Sequence, residues 1–169
     1  DDVYVVDATG DSVTEAASAG ADTVQSWISY TLGSQVENLT LLGTGGTNGT
    51  GNSLNNVLTG SAGANLLDGG TGADTMNGGA GDDVFSWNPG GGSDMDDGDA
   101  GSESVEFNGW AANEIIAASV SGQRVTLTRD VGAIVMDLGT IERLVVRTPG
   151  GSDQFTAGGR QASAIARQV

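Results

Sequence analysis

The sequence predicts an all-β chain: a right-handed parallel β-roll flanked by short β-strand segments, with a C-terminal antiparallel β meander. Three observations predict it. There are 29 glycines in 169 residues and only 5% aromatics, so the core must be thin layers of Val, Leu and Ile between many turns. A nine-residue frame, with Gly at positions 1, 2 and 4 and Asp at 6, repeats without a gap from Gly69 to Ser86. After Phe107 glycine thins out, and runs of β-branched residues alternate with turn residues.

Residues 1–42 read as an N-terminal β spacer. Val3 to Val6, Thr23 to Leu32 and Leu39 to Leu42 are its strand candidates, rich in β-branched and aromatic residues. Asp1-Asp2-Val3-Tyr4 matches the pattern of Asp82-Asp83-Val84-Phe85, so the chain is expected to begin inside a repeat. Gly20-Ala21-Asp22-Thr23-Val24 echoes Gly72-Ala73-Asp74-Thr75-Met76.

Residues 43–106 form the repeat block. Gly69 to Asn77 and Gly78 to Ser86 fit the frame fully. Gly60 to Asp68 and Gly51 to Thr59 fit in degenerate form, with Asn65 and Asn56 at position 6. Position 8 reads Leu58, Leu67, Met76, Phe85, an apolar column facing the core. The frame then slips by two residues and resumes, with Asp94 and Glu103 at position 6.

Residues 107–156 read as a β-rich cap. Ile115 to Val120, Arg124 to Arg129, Ala133 to Leu138 and Ile141 to Arg147 are punctuated by short turns, as in a meander. Gly150 to Phe155 is a late remnant of the frame, and residues 157–169 are a frayed or weakly helical tail.

Charge is distributed unevenly. Residues 1–122 carry 18 of the 22 acids and none of the 6 arginines. Such a stretch repels itself when compact and offers no phosphate contacts, so nucleic acid is excluded as a partner. No apolar run approaches the ~20 residues of a membrane span. With no His and no Cys, the common nucleophilic triads and His-based zinc sites are absent. Nothing in the sequence marks a sugar cleft for a carboxylate pair, so the chain is expected not to be an enzyme. Trp27, Trp87 and Trp110 read as partly buried aromatics at coil ends rather than sugar platforms.

The spacing suits calcium, which takes about six to eight oxygen ligands from carboxylates and carbonyls. A glycine-rich turn can point carbonyls inward, because glycine tolerates dihedrals closed to other residues. Position 6 adds a carboxylate. If two nonapeptides make one coil, turns on the same side stack. Asn56, Asp74 and Asp94 then form one column, and Asn65, Asp83 and Glu103 the other, with ions between neighbours. The candidate metal residues are these six together with Gly70, Gly72, Gly79, Gly81, Gly90 and Gly92. By charge, the strongest site is expected between the Asp74 and Asp94 turns.

Gly69 to Ser86 resembles the tandem nonapeptides of RTX (repeats-in-toxin) proteins, also called haemolysin-type calcium-binding repeats. The resemblance is specific over Gly51 to Glu106. It implies calcium as the bound ion, export by a type I secretion system, an extracellular location and folding outside the cell. The carboxylates carried over are Asp74, Asp83 and Asp94. Asn56, Asn65 and Glu103 depart from the pattern. The leading expectation is a structural or interaction module of an adhesin, matrix, filament or surface-layer protein, partnered by further copies of itself or by a longer repeat array. The alternative is a C-terminal calcium-binding appendage of a secreted hydrolase or other exoenzyme.

Overall fold

A computed structural model describes residues 1–17, 20–159 and 165–168. Every regular element among the described residues is a β-strand. The first eleven are β1 (Val3–Val6), β2 (Thr23–Ser26), β3 (Tyr30–Thr31), β4 (Asn38–Leu41), β5 (Gly49–Thr50), β6 (Val57–Thr59), β7 (Leu66–Asp68), β8 (Thr75–Asn77), β9 (Val84–Trp87), β10 (Met95–Asp97) and β11 (Ser104–Asn108). From β2 onward these strands alternate between two sheets. One sheet begins β1-β2-β4-β6-β8-β10, and the other runs β3-β5-β7-β9-β11, all with parallel neighbours. A nonapeptide is therefore half a coil, as expected of a β-roll.

The register places position 8 in columns. Val24, Leu39, Leu58 and Met76 align in the first sheet, and Leu67, Phe85, Val105 and Leu144 in the second. All eight are buried. Each contributes roughly 1.5–3 kcal/mol by leaving water, which a three-residue strand could not supply from backbone pairing alone. Trp87 and Phe107, one layer deeper along the second sheet, stack with ring centroids 4.2 Å apart.

The C-terminal part comprises β12 (Ile115–Ser121), β13 (Arg124–Arg129), β14 (Ile134–Gly139), β15 (Arg143–Arg147), β16 (Gln154–Gly159) and β17 (Ile165–Gln168). β12, β13 and β14 are an antiparallel meander set into the first sheet, with β14 parallel to β10 and β16 parallel to β12. Alternation turns Leu127 and Arg129 inward. Arg129 Nε donates to Glu114 Oε1 at 2.6 Å, and its guanidinium lies 5.4 Å from the Trp87 ring and 5.6 Å from the Trp110 ring. Two aromatic faces and a carboxylate thus neutralise a cation that would otherwise be costly to bury.

Three strand expectations are corrected. Thr23 to Leu32 is two strands on opposite sheets, because Ser26 Oγ accepts from the Ile28 N–H and donates to the Ile28 carbonyl, turning the chain. The segment at Ile141 to Arg147 leaves the meander, and β15 pairs parallel with β11 in the second sheet. The tail is not helical where it is described, since β16 and β17 extend the two sheets. Residues 160–164 and 169 of that tail lie outside the described residues. Of the tryptophans, Trp87 is buried rather than partly buried, while Trp27 and Trp110 are about half exposed.

Candidate metal centre

Where a strand begins right after a tight turn, the amide of the residue just before it falls outside the ladder, and a buried donor must find a partner. Here the next coil supplies it. The Asn56 N–H donates to Asp74 Oδ1 at 2.8 Å, and the Asp74 N–H donates to Asp94 Oδ1 at 2.9 Å. In the second column the Asn65 N–H donates to Asp83 Oδ1 at 2.8 Å. Glu103 continues that column through Ser104, whose N–H donates to the Asp83 carbonyl. The two sets of position-6 residues are therefore brought together in two stacks, all of them buried.

Asp74, Asp83 and Asp94 each use one oxygen as a cap. The other oxygen, Oδ2 of Asp74 and of Asp83, is buried and without a partner, as is Oε1 of Glu103. Burial raises Asp74 from 3.8 to about 6 and Asp94 to about 7, and the Asp74 charge pushes Asp94 further the same way. Burial raises Asp83 as well. Glu103 rises to about 7 through burial and then through Glu142 and Asp83. Carboxylates so placed favour a proton or a cation.

The glycines set the opposing wall. Gly70, Gly72, Gly79, Gly81, Gly90 and Gly92 all adopt positive φ. At Gly92 the demand is strongest, because an added Cβ would overlap the Gly72 carbonyl oxygen one coil away. At Gly78 an added Cβ would fall 2.5 Å from Asp83 Oδ2 and 2.9 Å from the Gly98 carbonyl oxygen. The side-chain oxygen of one turn and the carbonyl of the next thus converge on one point. Gly51 and Gly60 sit in the same way between Asn56 Oδ1 and the Gly69 carbonyl, and between Asn65 Oδ1 and the Gly78 carbonyl. An all-oxygen donor set with orphaned carboxylate oxygens fits a hard divalent cation such as calcium.

The stacks also run beyond the residues singled out from sequence. The Asp2 N–H donates to Asp22 Oδ1, Asp22 to Glu37 Oε2, Glu103 to Glu142 Oε2, and Glu114 to Asp153 Oδ1. A signal for them exists. Each acid is followed at the second residue by a core-facing position, as in Asp22-Thr23-Val24, Glu37-Asn38-Leu39 and Glu142-Arg143-Leu144. Asp96 was also missed. It occupies position 8 between Met76 and Leu138, is 1% exposed, and has both oxygens unpartnered.

Residues 50–85 match the family described as RTX calcium-binding nonapeptide repeat, in four copies. The chain carries RTX calcium-binding repeats. Such repeats bind calcium, which agrees with the donor chemistry above. The endo-1,3-1,4-beta-glycanase EglC of Rhizobium meliloti (strain 1021) is 46% identical over 130 residues, covering 75% of this chain and 28% of that protein. The endo-1,3-1,4-beta-glycanase ExsH of the same strain is 40% identical over 63 residues, covering 37% of this chain and 13% of that protein. The chain thus spans under a third of the curated relatives it matches. No solved structure matches it significantly.

These relatives overturn the expectation that the chain is not an enzyme. The absence of His and Cys removes triads and His-based zinc sites. It has no bearing on glycoside hydrolysis, which runs on paired carboxylates. No helix among the described residues is long and apolar enough to cross a membrane.

Proposed function

We propose that this chain is the calcium-folded segment of a secreted glycan hydrolase acting on a β-glycan with 1,3 and 1,4 linkages. The observation that carries the enzyme assignment is the 46% identity to EglC over three-quarters of the chain. On this reading Asp74, Asp83 and Asp94 supply carboxylates to calcium, with the carbonyls of Gly69, Gly78 and Gly98 and the side-chain oxygens of Asn56, Asn65 and Glu103 completing the shells. The unfolded chain holds these oxygens far apart, so calcium stabilises the folded form by mass action. Low cytoplasmic calcium keeps the chain unfolded for export through a type I system, and extracellular calcium then folds it. The relatives' names favour this appendage reading over an adhesin, matrix, filament or surface-layer role.

The test uses the full product of the gene that encodes this chain. Reducing ends released from a panel of 1,3-1,4-β-linked glycans are measured with calcium and after decalcification, beside a variant carrying Asp74→Asn and Asp83→Asn. The proposal expects hydrolysis, with a calcium requirement for stability that the double variant weakens. No hydrolysis of any 1,3-1,4-β-linked glycan would remove the enzyme assignment. Hydrolysis and folding that ignore calcium would remove the coupling.

A further inference from the structure

Outside the nonapeptide block, three carboxylates meet at the N-terminal end. One oxygen each from Asp2, Glu15 and Asp22 lies within 4.8 Å of the others. Asp2 and Asp22 lead into β1 and β2, which pair in register from Val3 and Thr23. Glu15 comes from the segment between those strands. Asp22 is fully buried, its Oδ1 accepts the Asp2 N–H at 2.6 Å, and its Oδ2 has no hydrogen-bond partner. The amino terminus of Asp1 lies 3.7 Å from Oδ1. No arginine occurs before Arg124 in the sequence, and the arginine ion pairs among the described residues go to Asp97, Asp137, Glu114 and Glu106.

The segment carrying Glu15 spans the ends of both sheets. β1 ends the first sheet and β3 ends the second. The Tyr4 hydroxyl on β1 donates to Glu15 Oε1, and the Val13 N–H donates to the Tyr30 hydroxyl on β3 at 3.1 Å. Val13 packs against the core. This crossing links the outermost strands of the two sheets, and it brings Glu15 onto two acids that repel it.

We propose that Asp2, Glu15 and Asp22 hold a calcium ion that locks the Val13–Glu15 crossing onto β1 and β2, a site separate from the nonapeptide turns. Three carboxylates offer up to six hard oxygens, which suits calcium better than a smaller ion that keeps most of its water. The site does not depend on the glycan-hydrolase reading.

Calorimetric titration of the whole chain with calcium chloride counts bound ions, and circular dichroism follows folding in the same samples. Glu15→Gln should bind one ion fewer per chain and keep the calcium-dependent β signal. Asp2→Asn is the second variant and should behave alike. Terbium replacing calcium should give tyrosine-sensitised emission that survives Asp74→Asn with Asp83→Asn and falls several-fold in Tyr4→Phe. An unchanged ion count in both Glu15→Gln and Asp2→Asn would overturn the site. So would loss of the β signal in both variants, which would make the cluster a folding element without its own ion.

Discussion

Asp74→Asn keeps the oxygen that accepts the Asn56 N–H but removes a buried charge, and its effect on stability should reverse sign with calcium. Burial raises Asp74 from 3.8 to about 6. At ~1.4 kcal/mol per pH unit, ionised Asp74 costs the decalcified fold on the order of 3 kcal/mol near neutral pH. Asparagine has no such cost, so the decalcified variant should be the more stable protein, by up to that amount. With calcium the order should invert. Free calcium a hundredfold above its dissociation constant stabilises wild type by about 2.7 kcal/mol per site, and a site without its carboxylate forgoes most of this. Urea unfolding followed by far-ultraviolet circular dichroism, with and without calcium, measures both midpoints. A variant less stable than wild type under both conditions would refute the reasoning, because Asp74 would then stabilise the fold without any cation.

Other consequences are as direct. Asp74, Asp94 and Glu103 are raised to about 6, 7 and 7, so the fold binds their protons more tightly than the unfolded chain does. The urea midpoint of resin-decalcified chain should therefore be highest in acid and fall as pH rises through those values, whereas saturating calcium should flatten the profile. Asp96→Leu restores an apolar side chain between Met76 and Leu138 and should stabilise the chain by ~2 kcal/mol in urea titrations, with its calcium response intact. Gly122→Ala, at φ 64 in open space, should cost ~1 kcal/mol. Gly92→Ala should cost more, because its Cβ meets the Gly72 carbonyl; thermal unfolding of the two variants side by side gives the difference.

The coil was legible because the repeat states its period. Gly69 to Ser86 fixes nine residues per half-coil, and Leu58, Leu67, Met76 and Phe85 then fall in the core. Where the glycines lapse, propensity alone misleads. Thr23 to Leu32 reads as one strand because β-branched and aromatic residues suit any pleated surface, whether one long strand or two short ones on opposite sheets. Ile141 to Arg147 reads as a fourth meander strand. The corner at Thr140, at φ 48, sends it across to the second sheet. The acids at 37 and 142 were hidden for the same reason, since their turns lack the glycine signature while keeping the spacing from acid to core. Glu15 could not be placed from sequence, because its partners are joined to it by a crossing rather than by a period. The likeness to glycanases was equally out of reach, since it is to proteins that extend well past this chain.

The most direct test of the calcium-coupled fold is circular dichroism of the purified chain during a calcium titration, with magnesium as control. The orphaned oxygens of Asp74 and Asp83 predict a cooperative gain of β signal with calcium and none with magnesium. A chain fully folded in chelator and unmoved by calcium would contradict the account.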